Sequence, residues 1–227
     1  MCPAHWGPSK RHKDFHVVHE IGAAAELSVL AIGAHPDDVE LGCGGTLAKL
    51  ARAGARVRVV ILSRGRRGGL SEADRAAETR TALATLGVTD VTVHDFPDTR
   101  LCEHLNALIE VLDQHVREVC PRRAYTMFQH DRHQDHRAVY EASSIACRSV
   151  PQLLGYETPS SYPNFLPTVF EPIADDLETK VRALKSHSSQ GSRLYMQEEK
   201  IRSAANFRGA QVDLGPSEGF IPYKMIL

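Results

Sequence analysis

Cysteine is sparse in this sequence and never paired: Cys2, Cys43, Cys102, Cys120 and Cys147 are odd in number, and no two stand in a Cys-x-x-Cys spacing. That excludes a disulfide framework and a structural zinc knot, and it fits reduced thiols in a cytosol. Charge of one sign is also lacking. With 27 Lys and Arg against 28 Asp and Glu the formal net charge is −1, so bulk electrostatics points to neither a nucleic-acid nor a membrane-surface partner. No apolar run approaches the length of a membrane span, and the first residues carry no apolar signal core. A cytoplasmic protein is the expectation. Internal repeats and low-complexity tracts are absent too.

What is present suits one globular domain: 227 residues, 42% hydrophobic and 24% charged, are enough for a substantial core. Residues 1 to about 26 read differently, as an extension rich in Pro, Gly, Ser and mixed charge that is poorly ordered or an edge element. Its His5, His12, His16 and His19 repeat no ligand spacing. The domain itself is expected over 27–227.

From Leu27 the pattern alternates between strand-like and helix-like segments, as in βαβ units. Leu27–Ile32, Val57–Leu62, Val91–Val93 and Ala124–Phe128 read as strands. Ser71 with Asp74 has capping-box spacing ahead of a helix that Gly87 would stop. Leu105, Leu108, Ile109, Leu112, Val116 and Val119 recur at helical steps, and Pro121 would end that helix. A further helix is expected from about Asp135 to Arg148, strands at 153–156 and 168–170, helices at about 175–186 and 194–208, and an edge strand at 219–227. The fold class is α/β, a doubly wound and mostly parallel sheet with helices on both faces. In strand order 3-2-1-4-5 the first and fourth strands are neighbours, and ligands bind where the chain reverses between them.

The residues at those two strand ends carry the chemistry. His35-Pro36-Asp37-Asp38 follows the first strand, and Pro36 biases His35 toward an extended backbone. His130-Asp131-Arg132-His133-Gln134-Asp135-His136 follows the fourth. Imidazole and carboxylate suit zinc, and a catalytic zinc takes three protein ligands and keeps one position for water. His35, Asp38 and one histidine of the second cluster make such a set. Fe(II), Co(II) or Mn(II) would also suit these donors.

Ala34-His35-Pro36-Asp37-Asp38, the Gly-rich helix entry Gly42-Cys43-Gly44-Gly45, Arg75-x-x-Glu78 and His133-x-Asp135-His136 together resemble the LmbE-like (PIG-L) family of metal-dependent N-deacetylases. The stretches Lys180–Gln190 and Ser217–Phe220 are also similar to that family, so the resemblance spans roughly 29–221. It implies a Rossmann-like fold and removal of an acetyl or other acyl group from an amino sugar, often N-acetylglucosamine in a conjugate. It further implies zinc on His35, Asp38 and His136, Asp37 as general base, and a protonated His133 stabilising the oxyanion. Asp135 would orient or tune His133, and Arg75 would contact substrate hydroxyls. Relatives are often homo-oligomers.

One loop departs from that pattern. Arg64, Arg66 and Arg67 lie after the second strand, and the expectation is that they recognise an anionic part of the substrate. Other features have plainer readings. His130 is a solvated loop residue, His94 a structural one, and Gly42–Gly45 serves close helix–sheet packing rather than a phosphate, since the G-x-G-x-x-G spacing is missing. Three other functions compete with the deacetylase: an amidase cleaving a larger acyl or peptide-like group at the same site, a nucleotide-binding Rossmann protein, and a non-catalytic sugar binder. Two acids where a pyrophosphate would sit disfavour the nucleotide reading.

Overall fold

The computed structural model describes residues 27–68 and 74–226. The N-terminal extension and Ser71 lie outside them. In chain order the elements are β1 (Ser28–Gly33), α1 (Asp38–Arg52), β2 (Arg56–Ser63), α2 (Arg75–Thr85), β3 (Asp90–Phe96), α3 (Leu105–Val119), β4 (Arg123–Met127), α4 (Gln134–Ala146), β5 (Gln152–Tyr156), β6 (Val169–Pro172), α5 (Leu177–Leu184), α6 (Glu198–Ala210) and β7 (Ser217–Met225). Their strands form one seven-stranded sheet in the order β3-β2-β1-β4-β5-β7-β6. β3, β2, β1, β4 and β5 run parallel, as the alternation of strand and helix requires, because parallel neighbours need a crossover. All six residues of β1 and all five of β4 are buried, which suits the apolar run Val29–Ile32; the buried Arg123 of β4 is matched by Gln152 at 2.7 Å.

β1 pairs with β4 in the register Val29↔Arg123, Leu30↔Ala124, Ala31↔Tyr125. That single adjacency carries residues 35–38 and 131–136, a hundred positions apart, to the same edge of the sheet. On its other side β1 pairs with β2.

Three boundaries differ from expectation. The C-terminal strand is not an edge: β7 is antiparallel to both β5 and β6. It is held inside the sheet because Glu218 accepts the Gly45 and Thr46 N–H groups, at 2.9 and 2.7 Å, and Phe220 is buried. The edge role falls to β6, four residues ending in Pro172, where a missing N–H does no harm. α2 is capped by Asp74, whose side chain accepts the Ala77 N–H at 3.1 Å. α3 is stopped by Cys120, left-handed at φ 46°, one residue before Pro121.

The Gly-rich start of α1 is a packing device. A Cβ at Gly42 would strike the Tyr156 ring, and one at Gly45 would lie 2.6 Å from Ile173 Cδ1. Tyr156 in turn donates its hydroxyl to Ile32 O at 2.7 Å. The helix therefore sits close against β5 and β7, bringing its N-terminus over the end of β1. A second apolar cluster of Ile173, Leu177, Val181, Leu184, Ile201 and Ala205 joins α5 to α6 beside the main core.

Candidate metal centre and active site

β1 ends at Gly33, and the chain turns through His35-Pro36-Asp37 into α1. Asp37 caps that helix with φ 107°, a left-handed backbone that L-residues avoid and that is retained at functional sites. The turn is closed by Asp38, whose Oδ2 accepts the His35 N–H at 2.7 Å. From the end of β4, α4 presents His136 to the same carboxylate. His136 Nε2 lies 3.3 Å from Asp38 Oδ1, and His35 Nδ1 lies 3.4 Å from Asp38 Oδ2. All three residues are buried. For ligands at 2.0–2.1 Å, neighbouring donors on a tetrahedral ion stand about 3.4 Å apart, and each imidazole stands at about that distance from one oxygen of Asp38.

The outward nitrogens decide which tautomers face that point. His35 Nε2 lies 3.0 Å from Asp135 Oδ2 and 3.2 Å from Asp98 Oδ1. His136 Nδ1 lies 3.2 Å from Asp131 Oδ2. Ionised carboxylates only accept, so each outward nitrogen carries a proton. That leaves His35 Nδ1 and His136 Nε2 turned toward Asp38. Carboxylate–histidine pairs of this kind orient metal-binding imidazoles.

The charges agree. Burial alone would lower the pKa of His35, but Asp135, Asp38 and Asp98 raise it well above normal. His136 is likewise pushed up to about 9, against its burial, by Asp38 and Asp131. Asp38 is held well below the carboxylate range by the two imidazoles, despite burial. Two imidazoles and an ionised carboxylate are the donor types that suit a divalent cation. His133 stands beside them, its ring stacked on His136 at 4.7 Å. His35, His133 and His136 each offer a nitrogen within 4.8 Å of the others, as do donors of His35, Asp98 and Asp135.

Asp37 faces the same cleft and is uncommitted to the cluster. Burial, then the nearby Asp38, lifts its carboxyl to about 7, although Arg75 opposes this. Arg75 does not pair along its own helix. It turns inward to Asp37 Oδ2 at 3.2 Å, Pro36 O at 2.7 Å and Gly65 O at 2.8 Å. Behind Asp37 lies a buried pair, Glu40 and His187, with Nε2 to Oε1 at 3.0 Å and the Thr79 hydroxyl on the same oxygen.

Imidazoles and carboxylates grouped in one cleft are donors suited to a metal ion, and known proteins bear on the family. Residues 30–147 match PIG-L, described as GlcNAc-PI de-N-acetylase. The uncharacterized deacetylase YaiS of Escherichia coli (strain K12) is 47% identical over 167 residues, covering 71% of this chain and 90% of that protein. The chain belongs to the PIG-L family. The diacetylchitobiose deacetylase of Thermococcus kodakarensis is 29% identical over 188 residues, covering 71% of this chain and 69% of its own length. The crystal structure of the conserved protein TT1542 from Thermus thermophilus superposes with a TM-score of 0.79 at 26% identity, covering 89% of this chain and 97% of that one. This PIG-L protein is thus a deacetylase by homology, a hydrolytic enzyme.

Several site expectations are revised by where the side chains lie. The Asp135 carboxylate contacts His35 and the backbone N–H groups of Thr99 (2.7 Å) and Leu101 (3.0 Å), not the His133 ring. His133 Nδ1 instead accepts the Asp135 N–H at 3.2 Å. Burial, followed by the neighbouring His35 and His136, lowers the pKa of His133. The arginine loop is divided. Arg64 and Arg66 lie within 3.6 and 3.1 Å of Asp95 on the exposed face, while Arg67 lines the cleft. His130 is exposed, bonded to Asn164 at 2.8 Å, and His94 pairs with His115 at 3.0 Å away from the cleft.

Asp98, Asp131, Arg193 and Tyr195 carry no role in the sequence reading, and all touch the site or its outward nitrogens. Asp98 was discoverable, since it too follows a strand of the sheet. Asp131 sits within the second cluster, but its network with Thr158 (2.7 Å), Ser160 (2.6 Å) and the His133 N–H (2.8 Å) depends on a loop from β5. Among the described residues, no helix is long and apolar enough to cross a membrane.

Proposed function

We propose that the protein is a zinc-dependent deacetylase that removes an N-acetyl group from an amino sugar or amino-sugar conjugate. His35, Asp38 and His136 would hold the ion, with Asp135 and Asp131 fixing their tautomers from behind. Zinc bound there would polarise the amide carbonyl and lower the pKa of bound water from 15.7 to about 7. The observation that carries the reading is the place of Asp37: its carboxyl lines a cleft of about 330 Å³ together with His35, Asp38, His133 and His136, held by Arg75 at 3.2 Å. A carboxylate so placed can serve as a general base.

Asp37 takes a proton from water as the water oxygen bonds to the amide carbon. His133 Nε2–H donates to the carbonyl oxygen as negative charge gathers there, the kind of contact whose loss costs about 10²–10³ in rate. Asp37 then returns the proton to nitrogen as the C–N bond breaks, releasing acetate and the free amine. Arg75 keeps Asp37 aimed and stands within reach of sugar hydroxyls. Arg67 and Arg193, on the rim of the cleft, are suited to an anionic substituent.

A free-amine assay over a panel of N-acetylated sugars tests this, with Asp37→Asn as control. The variant should keep its metal by elemental analysis and lose turnover by about 10²–10⁴-fold. Full activity without Asp37 would break the mechanism.

A further inference from the structure

The chain between α5 and α6 brings Gln190, Arg193 and Tyr195 to the wall of the catalytic cleft. Arg193 is exposed. Tyr195 stands between the cleft and a second cavity of about 250 Å³, lining both. Only two single 3₁₀ turns, Ser188–Gln190 and Leu194–Met196, give this segment regular structure, so its place depends on what grips it from outside.

Glu78 of α2 supplies that grip. Its Oε1 accepts the Ser188 hydroxyl at 2.7 Å and the Ser189 N–H at 2.8 Å, and its Oε2 accepts the Ser189 hydroxyl at 2.5 Å. Hydrogen bonds to an ionised acceptor are the strong ones, and three from two consecutive residues meet on one carboxylate. We propose that Glu78 is a positioning residue for this enzyme: it clamps the Ser188–Ser189 turn and thereby sets Arg193 and Tyr195 on the cleft.

The route from clamp to cleft runs through Gln190, which is buried. Its N–H donates to His187 O, and its carbonyl accepts the Arg193 N–H, both at 2.9 Å. The Tyr195 hydroxyl lies 3.5 Å from Gln190 Oε1. Gln190 and Arg193 side chains both donate to Gly68 O, at 3.1 and 3.3 Å, which joins the segment to the end of the arginine loop. Glu78 is not among the residues that line the cleft. It stands three residues after Arg75, on the same side of α2. Arg75 is turned inward to Asp37 at 3.2 Å, so one helix serves the base through Arg75 and the cleft wall through Glu78. Side chains ordered before substrate arrives spare binding the cost of ordering them. That Arg193 and Tyr195 meet substrate rests on the deacetylase reading above; the clamp does not.

The test compares Glu78→Ala with the native, metal-loaded enzyme on an N-acetylglucosamine phosphate. KM should rise about tenfold, the scale of leaving two side chains to be ordered on binding. Because Arg75 holds Asp37 independently, kcat should stay within about twofold. Glu78→Gln keeps an oxygen for Ser188 and the Ser189 N–H and should recover most of the loss. In an Arg193→Ala, Tyr195→Ala background, Glu78→Ala should change KM by less than about twofold, since the residues it acts through are gone. An unchanged KM in Glu78→Ala overturns the proposal. A fall in kcat at constant KM also overturns it, because Glu78 would then act through Arg75, and so does an equal rise in KM in the doubly substituted background. Hydrogen–deuterium exchange gives a readout that needs no substrate: peptides spanning 187–197 should exchange faster in Glu78→Ala and at the native rate in Glu78→Gln. If the native enzyme turns over no N-acetylated sugar, the amino-sugar reading fails and exchange alone decides. Faster exchange confined to 187–197 then supports the clamp, and unchanged exchange overturns it.

Discussion

The Asp135 carboxylate lies 3.0 Å from His35 Nε2, on the side of that imidazole away from Asp38. Its Oδ2 oxygen, with Asp98 Oδ1 at 3.2 Å from the same nitrogen, decides which nitrogen of His35 faces the cation site. The same oxygen accepts the Thr99 N–H at 2.7 Å, so the loop after β3 and the ligand at the end of β1 are tied together through α4.

Asp135→Asn should therefore weaken zinc binding by about 10–100-fold, the usual cost of losing a carboxylate behind a metal-bound histidine. Competition with a chromogenic chelator measures this. Unchanged affinity with lost activity would return Asp135 to a role on His133.

Glu40 and His187 give a pH dependence with a definite sign. Burial works against the His187 imidazolium, but Glu40 outweighs it and raises the pKa above 6.5. A raised histidine contributes stability that is fully present below 6.5 and is lost as pH rises through the folded-state value. The stability advantage of the native protein over His187→Gln in urea denaturation should narrow as pH rises above 6.5. A gap that widens with pH would show that His187 is buried neutral.

Gly45→Ala places a methyl 2.6 Å from Ile173 Cδ1 in the joint between α1 and the α5–α6 cluster. Overpacking of this kind costs about 1–3 kcal/mol, readable as a lower urea midpoint. An equal or higher midpoint would mean that the joint relaxes freely.

The division of the arginine loop predicts unequal effects on an anionic substrate such as an N-acetylglucosamine phosphate. Arg67→Ala should raise KM about tenfold, since a charge-assisted hydrogen bond is worth about 1.5–3 kcal/mol. The double change Arg64→Ala, Arg66→Ala should leave KM within about twofold, because exposed pairs with Asp95 contribute little. Equal losses from both variants would show that the whole loop reaches the substrate.

Much of this was legible in the chain. Apolar runs at 27–32 and 124–128 mark two buried strands, and the helical repeat at 105–119 marks α3, because these patterns are local and each face buries its own residues. The strand-end rule then brings His35, Asp38 and His136 to one place, and the family motifs name the chemistry. Less legible was everything that turned on a partner far along the chain. The β7 strand reads as an edge until Glu218 is seen gripping α1. Arg64, Arg66 and Arg67 are alike in sequence, yet only Arg67 points to the cleft.

The order of residues by itself determined the parallel part of the sheet, its adjoining first and fourth strands, and the list of donors at their ends. Tertiary structure alone decided which nitrogen of each imidazole faces inward, that His133 Nδ1 accepts the Asp135 N–H, and that a second cavity adjoins the first. The physical reason is distance along the chain: periodicity reports what a residue's neighbours bury, whereas proton positions and cavity walls are set by side chains about a hundred residues apart that meet only when the helices pack.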